Sequence, residues 1–342
     1  MKAVLCKAYG PASSLVLEET TDPVAKKNEV VIDIHAAGVN FPDTLIIEGK
    51  YQVKPPFPFS PGGEAAGVVA SVGENVKHLK VGDRVMVHHY LGCGECTHCV
   101  SGWSQLCLHG VTVYGATGHG SHAQFMKVAA STLVSLPDEL SFSAGAAISC
   151  GTGTAFGALR RIDLSSDDTI AIFGQGPVGL SATQLASAMN ARVIALDISP
   201  ERLARAKEFG AEETLDPSQD DSVQAIRDLT RGEGADMALD CSSAPTARLA
   251  SVQCVKTWGK ACFVGEGGEV TLDVSRDMLR RQVTIVGSWT FSLQGQADCA
   301  QFIIDHKLDV DHLFTHRFRL EEAVDAYRLF DTQTTGKGVF EL

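Results

Sequence analysis

Apolar positions along this chain follow two rhythms. From Met1 to about Ser149, short stretches such as EVVIDIHAAGV and GEAAGVVASVG alternate, broken by Gly, Pro and Asp at short intervals. That pattern predicts short β-strands of a barrel or sandwich. KPPFPFSPGG, residues 54–63, reads as a rigid proline-rich loop between two of them. From about Cys150 the rhythm changes: TIAIFG predicts a short buried strand, and PVGLSATQLASAMN a helix with apolar residues at three- and four-residue spacing. ARVIALD, SPERLARAKEFGA, ETLD, SVQAIRDLT, ADMALDC, GKACFVG and VTIVGSW continue the alternation. Together they predict an α/β, doubly wound parallel sheet. The stretch LEEAVDAYRLFDTQTTGKGVFEL predicts an amphipathic helix and a short strand.

Composition narrows the function classes. With 342 residues, 44% hydrophobic and 20% charged, the chain has enough apolar content for about two domains. No apolar run reaches the ~18 residues of a membrane helix. The start, MKAVLCKAYG, is too short and mixed for a signal peptide. A net charge of −12 argues against nucleic acid and anionic membrane as partners and leaves a small-molecule substrate. Ten cysteines without a secretory signal predict a reducing, cytoplasmic compartment, where clustered thiols indicate metal or catalysis before disulfides.

GQGPVG supplies Gly174, Gly176 and Gly179 in G-x-G-x-x-G spacing, directly after TIAIF and opening a helix at Pro177 and Val178. Gly174 permits the tight turn, Gly176 lets backbone approach a pyrophosphate, and Gly179 lets helix and strand pack closely. The helix N-terminus offers free N–H groups and the positive end of its dipole. Asp197 ends the next strand, where a carboxylate accepts from the adenosine ribose and repels the extra phosphate of NADP, so NAD(H) is preferred over NADP(H). Arg202 softens that preference or stacks on adenine. Gly265, closing GKACFVG, joins the predicted cofactor set. The alternative is a glycine turn with an incidental capping Asp.

Cys93, Cys96, Cys99 and Cys107 are spaced C-x2-C-x2-C-x7-C. Four thiolates in one loop suit tetrahedral zinc and leave no open coordination position. Unrelated buried thiols, disulfides and an iron–sulfur site compete with that reading. The tight spacing among Gly92, Gly94 and Gly102, and the reducing compartment, favour one structural zinc.

These features together resemble the medium-chain dehydrogenase/reductase superfamily over essentially the whole chain. The resemblance implies a GroES-like β-barrel catalytic domain, residues 1–149 and 288–342, with a zinc lobe at about 92–108. It also implies a Rossmann domain, residues 150–287, and an active-site cleft between the two. Thr154 would pack at the nicotinamide, and a homo-oligomer, dimer or tetramer, is the family habit.

The catalytic zinc site of the alcohol dehydrogenase branch reads as dismantled. Its first ligand is a cysteine in a stretch like G-x-C-x-[ST]-D, and the matching stretch here is GVNFPD. Asn40 stands at the cysteine position, Pro42 at the hydroxyl position, and Asp43 matches. The G-H-E motif reads G-G-E, with Gly63 at the histidine and Glu64 kept. Cys150 matches the third ligand. AAGVNFPDTLIIEGKY and KPPFPFSPGGEAAGVV resemble the zinc-free NAD(P)H:quinone oxidoreductases, which usually lack the cysteine lobe. GSWTFS and THRFRLEEAVDAY resemble the alcohol and polyol dehydrogenases.

Two enzyme readings follow. Hydride delivery to a quinone or an α,β-unsaturated carbonyl needs donors near the acceptor oxygen and one proton, roles open to Asn40, Tyr51 and Asp43. Alcohol oxidation would need a metal held by Glu64, Cys150 and an outside histidine such as His119 or His122. A third, non-enzymatic reading is an NAD(H)-binding redox sensor that releases zinc on oxidation. Asn40 and Asp43 also read as turn formers, Tyr51 as a packed aromatic and Cys150 as a buried thiol. Trp289 reads equally as pocket wall or core, and His88, His89 and His109 as solvated or structural.

Overall fold

A computed structural model describes residues 1–332 and 336–342. The chain divides into two compact units, Met1–Gly153 with Phe291–Leu342, and Thr154–Thr290. The sequence-based joins at 149/150 and 287/288 each lie a few residues earlier.

The first unit is built on a seven-stranded sheet. Its order is Phe314–Phe318, Lys337–Glu341, Glu29–Val39, Ala65–Val72, Arg84–Val87 and Leu133–Ser135, and Phe125–Ala129 also pairs with Glu29–Val39. The long strand Glu29–Val39 carries register shifts between Val31 and Ile32 and between Ile34 and Ala36. Such bulges bend a strand and let its sheet curl. Val30, Ile32, Ile34, Phe59, Val85 and Met126 form the core beneath it. The strand Lys337–Glu341 sits inside the sheet, antiparallel to Glu29–Val39, with Gly338 opposite Val39. The helix Ala323–Asp331 turns Ala323, Ala326, Tyr327 and Phe330 inward, an i, i+3, i+4, i+7 stripe. Residues 333–335 of the predicted helix–strand stretch lie outside the described residues.

In the second unit, six parallel strands are ordered Glu213–Leu215, Arg192–Leu196, Thr169–Phe173, Ala235–Asp240, Val255–Phe263 and Thr284–Gly287. Thr169–Phe173, first in the chain, lies beside Ala235–Asp240, fourth in the chain. The direction of winding therefore reverses between their carboxyl ends, where ligands bind in sheets of this kind. Helices Pro177–Ala188, Pro200–Glu208 and Pro245–Cys254 each start on proline, whose missing N–H has no intrahelical acceptor to lose.

Candidate active site and cofactor turn

The glycine turn stands at the reversal point. Gly174 has φ +88° and its N–H bonds Leu196 O at 2.7 Å. A Cβ on Gly179 would lie 1.8 Å from Gly174 O, so turn and helix meet there with no room for a side chain. A Cβ on Gly176 would meet nothing within 4 Å. That open cradle, beside helix N–H groups that precede the first intrahelical bond from Leu180 N to Gly176 O, fits a pyrophosphate. Asp197 is buried, and its Oδ2 accepts from Gln175 N at 2.6 Å while Oδ1 accepts from Ser199 N at 2.9 Å. Arg202 turns toward the same carboxylate, Nη1 at 3.9 Å. Gly265 is packed so closely that a Cβ would lie 2.5 Å from Ser243 N. Gln175, which sequence reasoning passed over, is fully buried; it bonds Ile172 O through Nε2 and takes the Thr183 hydroxyl on Oε1, fixing the turn on its helix. Thr154 is half-buried on the helix Gly151–Arg161, Pro177 and Val178 open theirs, and Trp289 is 42% exposed rather than core.

The cysteine lobe gathers all four predicted sulfurs within 4.8 Å of one another, the one group of potential metal ligands among the described residues. Cys93 and Cys99 sulfurs are 3.9 Å apart, and those of Cys96 and Cys107 are 4.0 Å. Sulfurs ~2.3 Å from a tetrahedral zinc would be about 3.8 Å apart, so the cluster fits that ion. Backbone N–H groups point at the sulfurs, from Cys96 to Cys93 Sγ at 3.3 Å and from His109 to Cys107 Sγ at 3.4 Å. Such donors pull the Cys96 thiol down to about 6, Leu108 contributing most, and lower Cys107 as well. Gly102 O accepts from Leu293 N at 2.9 Å, tying the lobe to the helix Leu293–Asp305.

A second cluster forms inside the first unit, around the dismantled metal positions. Asn40 caps the helix Phe41–Ile47, its Oδ1 accepting from Asp43 N at 3.1 Å. Glu64 is 1% exposed, with the Asn40 amide and the Cys150 thiol beside its carboxylate. Gly38 lies under that carboxylate: a Cβ there would fall 1.8 Å from Glu64 Oε2. The ammonium of Lys337, also 1% exposed, lies 2.8 Å from Oε1 and 2.6 Å from Oε2, and 3.4 Å from Val39 O. Burial raises the Glu64 carboxyl while Lys337 pulls it back down. Burial pushes the Cys150 thiol well above its ordinary range, with the Glu64 charge adding to the effect, so Cys150 is a neutral thiol.

Asp43, on the same helix that Asn40 caps, is 2% exposed. Its Oδ2 is 3.3 Å from the Tyr327 hydroxyl, which is also 3.3 Å from His122 Nδ1. Burial first, then the charge of Glu64, raises the Asp43 carboxyl to about 7. His122 faces Gly38 O through Nε2 at 3.3 Å and is held down to about 4 by burial.

Those contacts correct the outside-histidine expectation. Both ring nitrogens of His122 are engaged, and His119 is exposed and outside any ligand group. Beside Gly63 stands His89, its ring 3.8 Å from where a Cβ would be, with Nδ1 turned to Ser149 O at 3.0 Å. His88 and His89 are buried, not solvated. Tyr51 is half-buried and packs against the barrel core. Lys337 and Tyr327 were missed from sequence. Tyr327 sits on the apolar stripe of its helix and reads as core, and a lone lysine before GVF reads as a strand start.

Family models match both parts of the chain: an alcohol dehydrogenase GroES-like domain over residues 26–138 and a zinc-binding dehydrogenase over residues 177–306. An Escherichia coli K12 protein named as an uncharacterised zinc-type alcohol dehydrogenase-like protein is 38% identical over 99% of both chains. An alcohol dehydrogenase of Geobacillus stearothermophilus is 33% identical over 90% of each. The solved structure of an NAD-dependent alcohol dehydrogenase superposes with a TM-score of 0.91 at 28% identity, covering all of both chains. Among the described residues, no helix is long and apolar enough to cross a membrane. With its glycine turn, cysteine lobe and barrel unit, the chain belongs to the medium-chain dehydrogenase/reductase superfamily and is a zinc-type alcohol dehydrogenase-like, NAD(P)-dependent oxidoreductase.

Proposed function

We propose that the enzyme reduces quinones or α,β-unsaturated carbonyls with NAD(P)H, and that zinc in the four-cysteine lobe is purely structural. The observation that carries this reading is the Glu64–Lys337 pair. A catalytic zinc takes three protein ligands and keeps one open position. Here Asn40 and Gly63 provide no thiolate or imidazole, and the remaining carboxylate is already neutralised by an ammonium 2.6 Å away. When bound, the reduced nicotinamide supplies the hydride. The Asn40 amide, which also bonds the Glu64 carboxylate, turns its second N–H toward the acceptor oxygen, Lys337 offsets negative charge near it, and Asp43 holds the helix that carries Asn40. Glu64 and Cys150 complete the wall of the centre, and Tyr51 flanks it as a further donor.

NADH is preferred over NADPH because the buried Asp197 carboxylate would face a 2′-phosphate, with Arg202 drawn onto that carboxylate. Thr154, Gly174, Gly176, Pro177, Val178, Gly179 and Gly265 frame the cofactor. The two units, Met1–Gly153 with Phe291–Leu342 and Thr154–Thr290, serve as the barrel and cofactor domains, and the enzyme is a cytoplasmic homo-oligomer, dimer or tetramer, acting on small molecules away from nucleic acid and membranes. Zinc per chain, measured on protein purified without chelator, tests the reading together with NADH oxidation by quinones and enones. A value near one with acceptor-dependent turnover supports it. A value near two with alcohol oxidation moves the assignment to an alcohol or polyol dehydrogenase with an altered metal site, the activity that several relatives' names carry.

A further inference from the structure

We infer that the buried Asp240–Arg248 ion pair positions the loops that receive the nicotinamide half of the dinucleotide. Asp240 ends the strand Ala235–Asp240, in register with Phe173 on one side and Phe263 on the other. It therefore lies where the winding of the sheet reverses, at the carboxyl ends of three neighbouring strands. Its Oδ1 accepts from Ser242 N at 3.0 Å, Ser242 Oγ at 2.7 Å and Ser243 N at 3.2 Å. Oδ2 accepts from Arg248 Nε at 3.1 Å, and Nη2 of the same guanidinium donates to Gly265 O. The backbone repeats that link, since Asp240 O accepts from Val264 N at 2.9 Å and from Gly265 N at 3.0 Å. Ser242 in turn backs the glycine turn: a Cβ on Gly174 would lie 2.9 Å from Ser242 Cβ. One ion pair thus ties the loops after Ala235–Asp240 and Val255–Phe263 to each other and seats them against that turn.

Two features point past a purely structural role. Ser243 holds φ +63°, a left-handed backbone unfavourable for a residue other than glycine, and the Asp240 carboxylate pins it there through the Ser243 N–H. Strain of this kind persists only where the surroundings over-determine it, and it gathers at ligand clamps. The pair also buries charge, the side chains of Asp240 and Arg248 being 0% and 10% exposed, where an apolar contact would serve folding as well. What the guanidinium adds is a planar fork that meets a carboxylate and a carbonyl on a second loop at once. It also neutralises a carboxylate that would otherwise repel phosphates in the crevice.

The inference rests on the reading that the glycine turn and Asp197 take the pyrophosphate and the adenosine ribose. A dinucleotide spans the crevice of such a sheet from one half to the other. With Arg192–Leu196 on the adenosine side, the half left for nicotinamide is the one formed by Ala235–Asp240 and Val255–Phe263. Asp240 and Arg248 are positioning residues, acting through the loops they hold.

Fluorescence titration with NADH, and displacement of that NADH by AMP, test the inference on the purified chain without any acceptor. AMP carries the adenosine half alone. Arg248→Met should bind NADH about tenfold more weakly and AMP within about twofold of wild type. Arg248→Lys keeps the charge but has no fork to reach Asp240 and Gly265 together, so it should lose about threefold on NADH and again spare AMP. The blue shift of bound NADH emission, which reports the surroundings of the nicotinamide ring, should shrink in both. Should Arg248→Met fail to fold, Arg248→Lys decides alone. Equal losses for NADH and AMP, or no loss for NADH in folded Arg248→Lys, overturn the proposal. AMP that fails to displace NADH from wild type, or that binds Asp197→Ser unweakened, overturns the adenosine-side reading instead, and the assignment of halves falls with it.

Discussion

Lys337, opening the strand Lys337–Glu341, and Glu64, the residue before the strand Ala65–Val72, form one buried ion pair: the ammonium bridges both carboxylate oxygens at 2.6 and 2.8 Å, and each side chain is 1% exposed. Removing one partner leaves the other charged in a dry place. Lys337→Met should therefore destabilise the fold by about 3–5 kcal/mol, and adding Glu64→Gln should recover most of that loss. Denaturant titration of the two variants checks both halves, and equal stability of the single and double variants would contradict the pairing.

Two of the three motif glycines should fail differently. Gly179→Ala drives a methyl into Gly174 O, so it should unfold or loosen the second unit. Gly176→Ala adds a methyl where nothing lies within 4 Å, so the protein should keep its Tm yet bind NADH about tenfold or more weakly. Calorimetry and cofactor fluorescence titration separate the two outcomes.

Asp197→Ser removes the carboxylate proposed to face the ribose while leaving a hydroxyl for the turn. The ratio of NADH to NADPH efficiency should fall by roughly ten- to a hundredfold, with Arg202 released to meet a phosphate. Steady-state kinetics with both cofactors measure it, and an unchanged ratio would place the discrimination elsewhere.

Cys99→Ser takes one sulfur from a set whose members lie within 4.8 Å. Zinc should drop toward zero per chain, with a loss of about 2–3 kcal/mol that lowers Tm by roughly 5–10 °C. Elemental analysis paired with calorimetry reads this without any activity assay.

Asp43 binds its proton more tightly folded than unfolded, at about 7 against an ordinary 3.8. Its stabilising contribution is full below the unfolded value and is lost as pH climbs from about 4 to about 7, at most about 4 kcal/mol. Asp43→Asn should flatten that part of the stability–pH curve. Chemical denaturation across the window compares the two slopes.

Much of this architecture was legible from residue order. EVVIDIHAAGV is the strand Glu29–Val39 residue for residue, and GQGPVG stands after its strand as spacing requires. The cysteine lobe was equally plain, because four thiols so close in sequence have few ways to avoid meeting. The helix Pro245–Cys254 was not foreseen, since its buried face includes Arg248 and Ser251 and shows no clean apolar stripe. Arg248 is buried because Asp240 accepts from its Nε at 3.1 Å, a partner that only the folded sheet supplies. Lys337 and Tyr327 were hidden for the same reason: each becomes part of the centre through contacts across more than 200 residues.

That separation shapes how the molecule is made. Lys337 follows Glu64 by 273 residues, with the entire dinucleotide-binding unit translated between them. During synthesis Glu64 must wait, solvated, while the later unit can collapse on its own local strand–helix contacts. The barrel then closes only when the strand Lys337–Glu341 slides in beside Glu29–Val39 and delivers its cation. A ribosome stalled before that strand would hold a finished nucleotide-binding unit joined to an open barrel, exposed to proteases along Glu29–Val39, a strand largely buried in the folded chain.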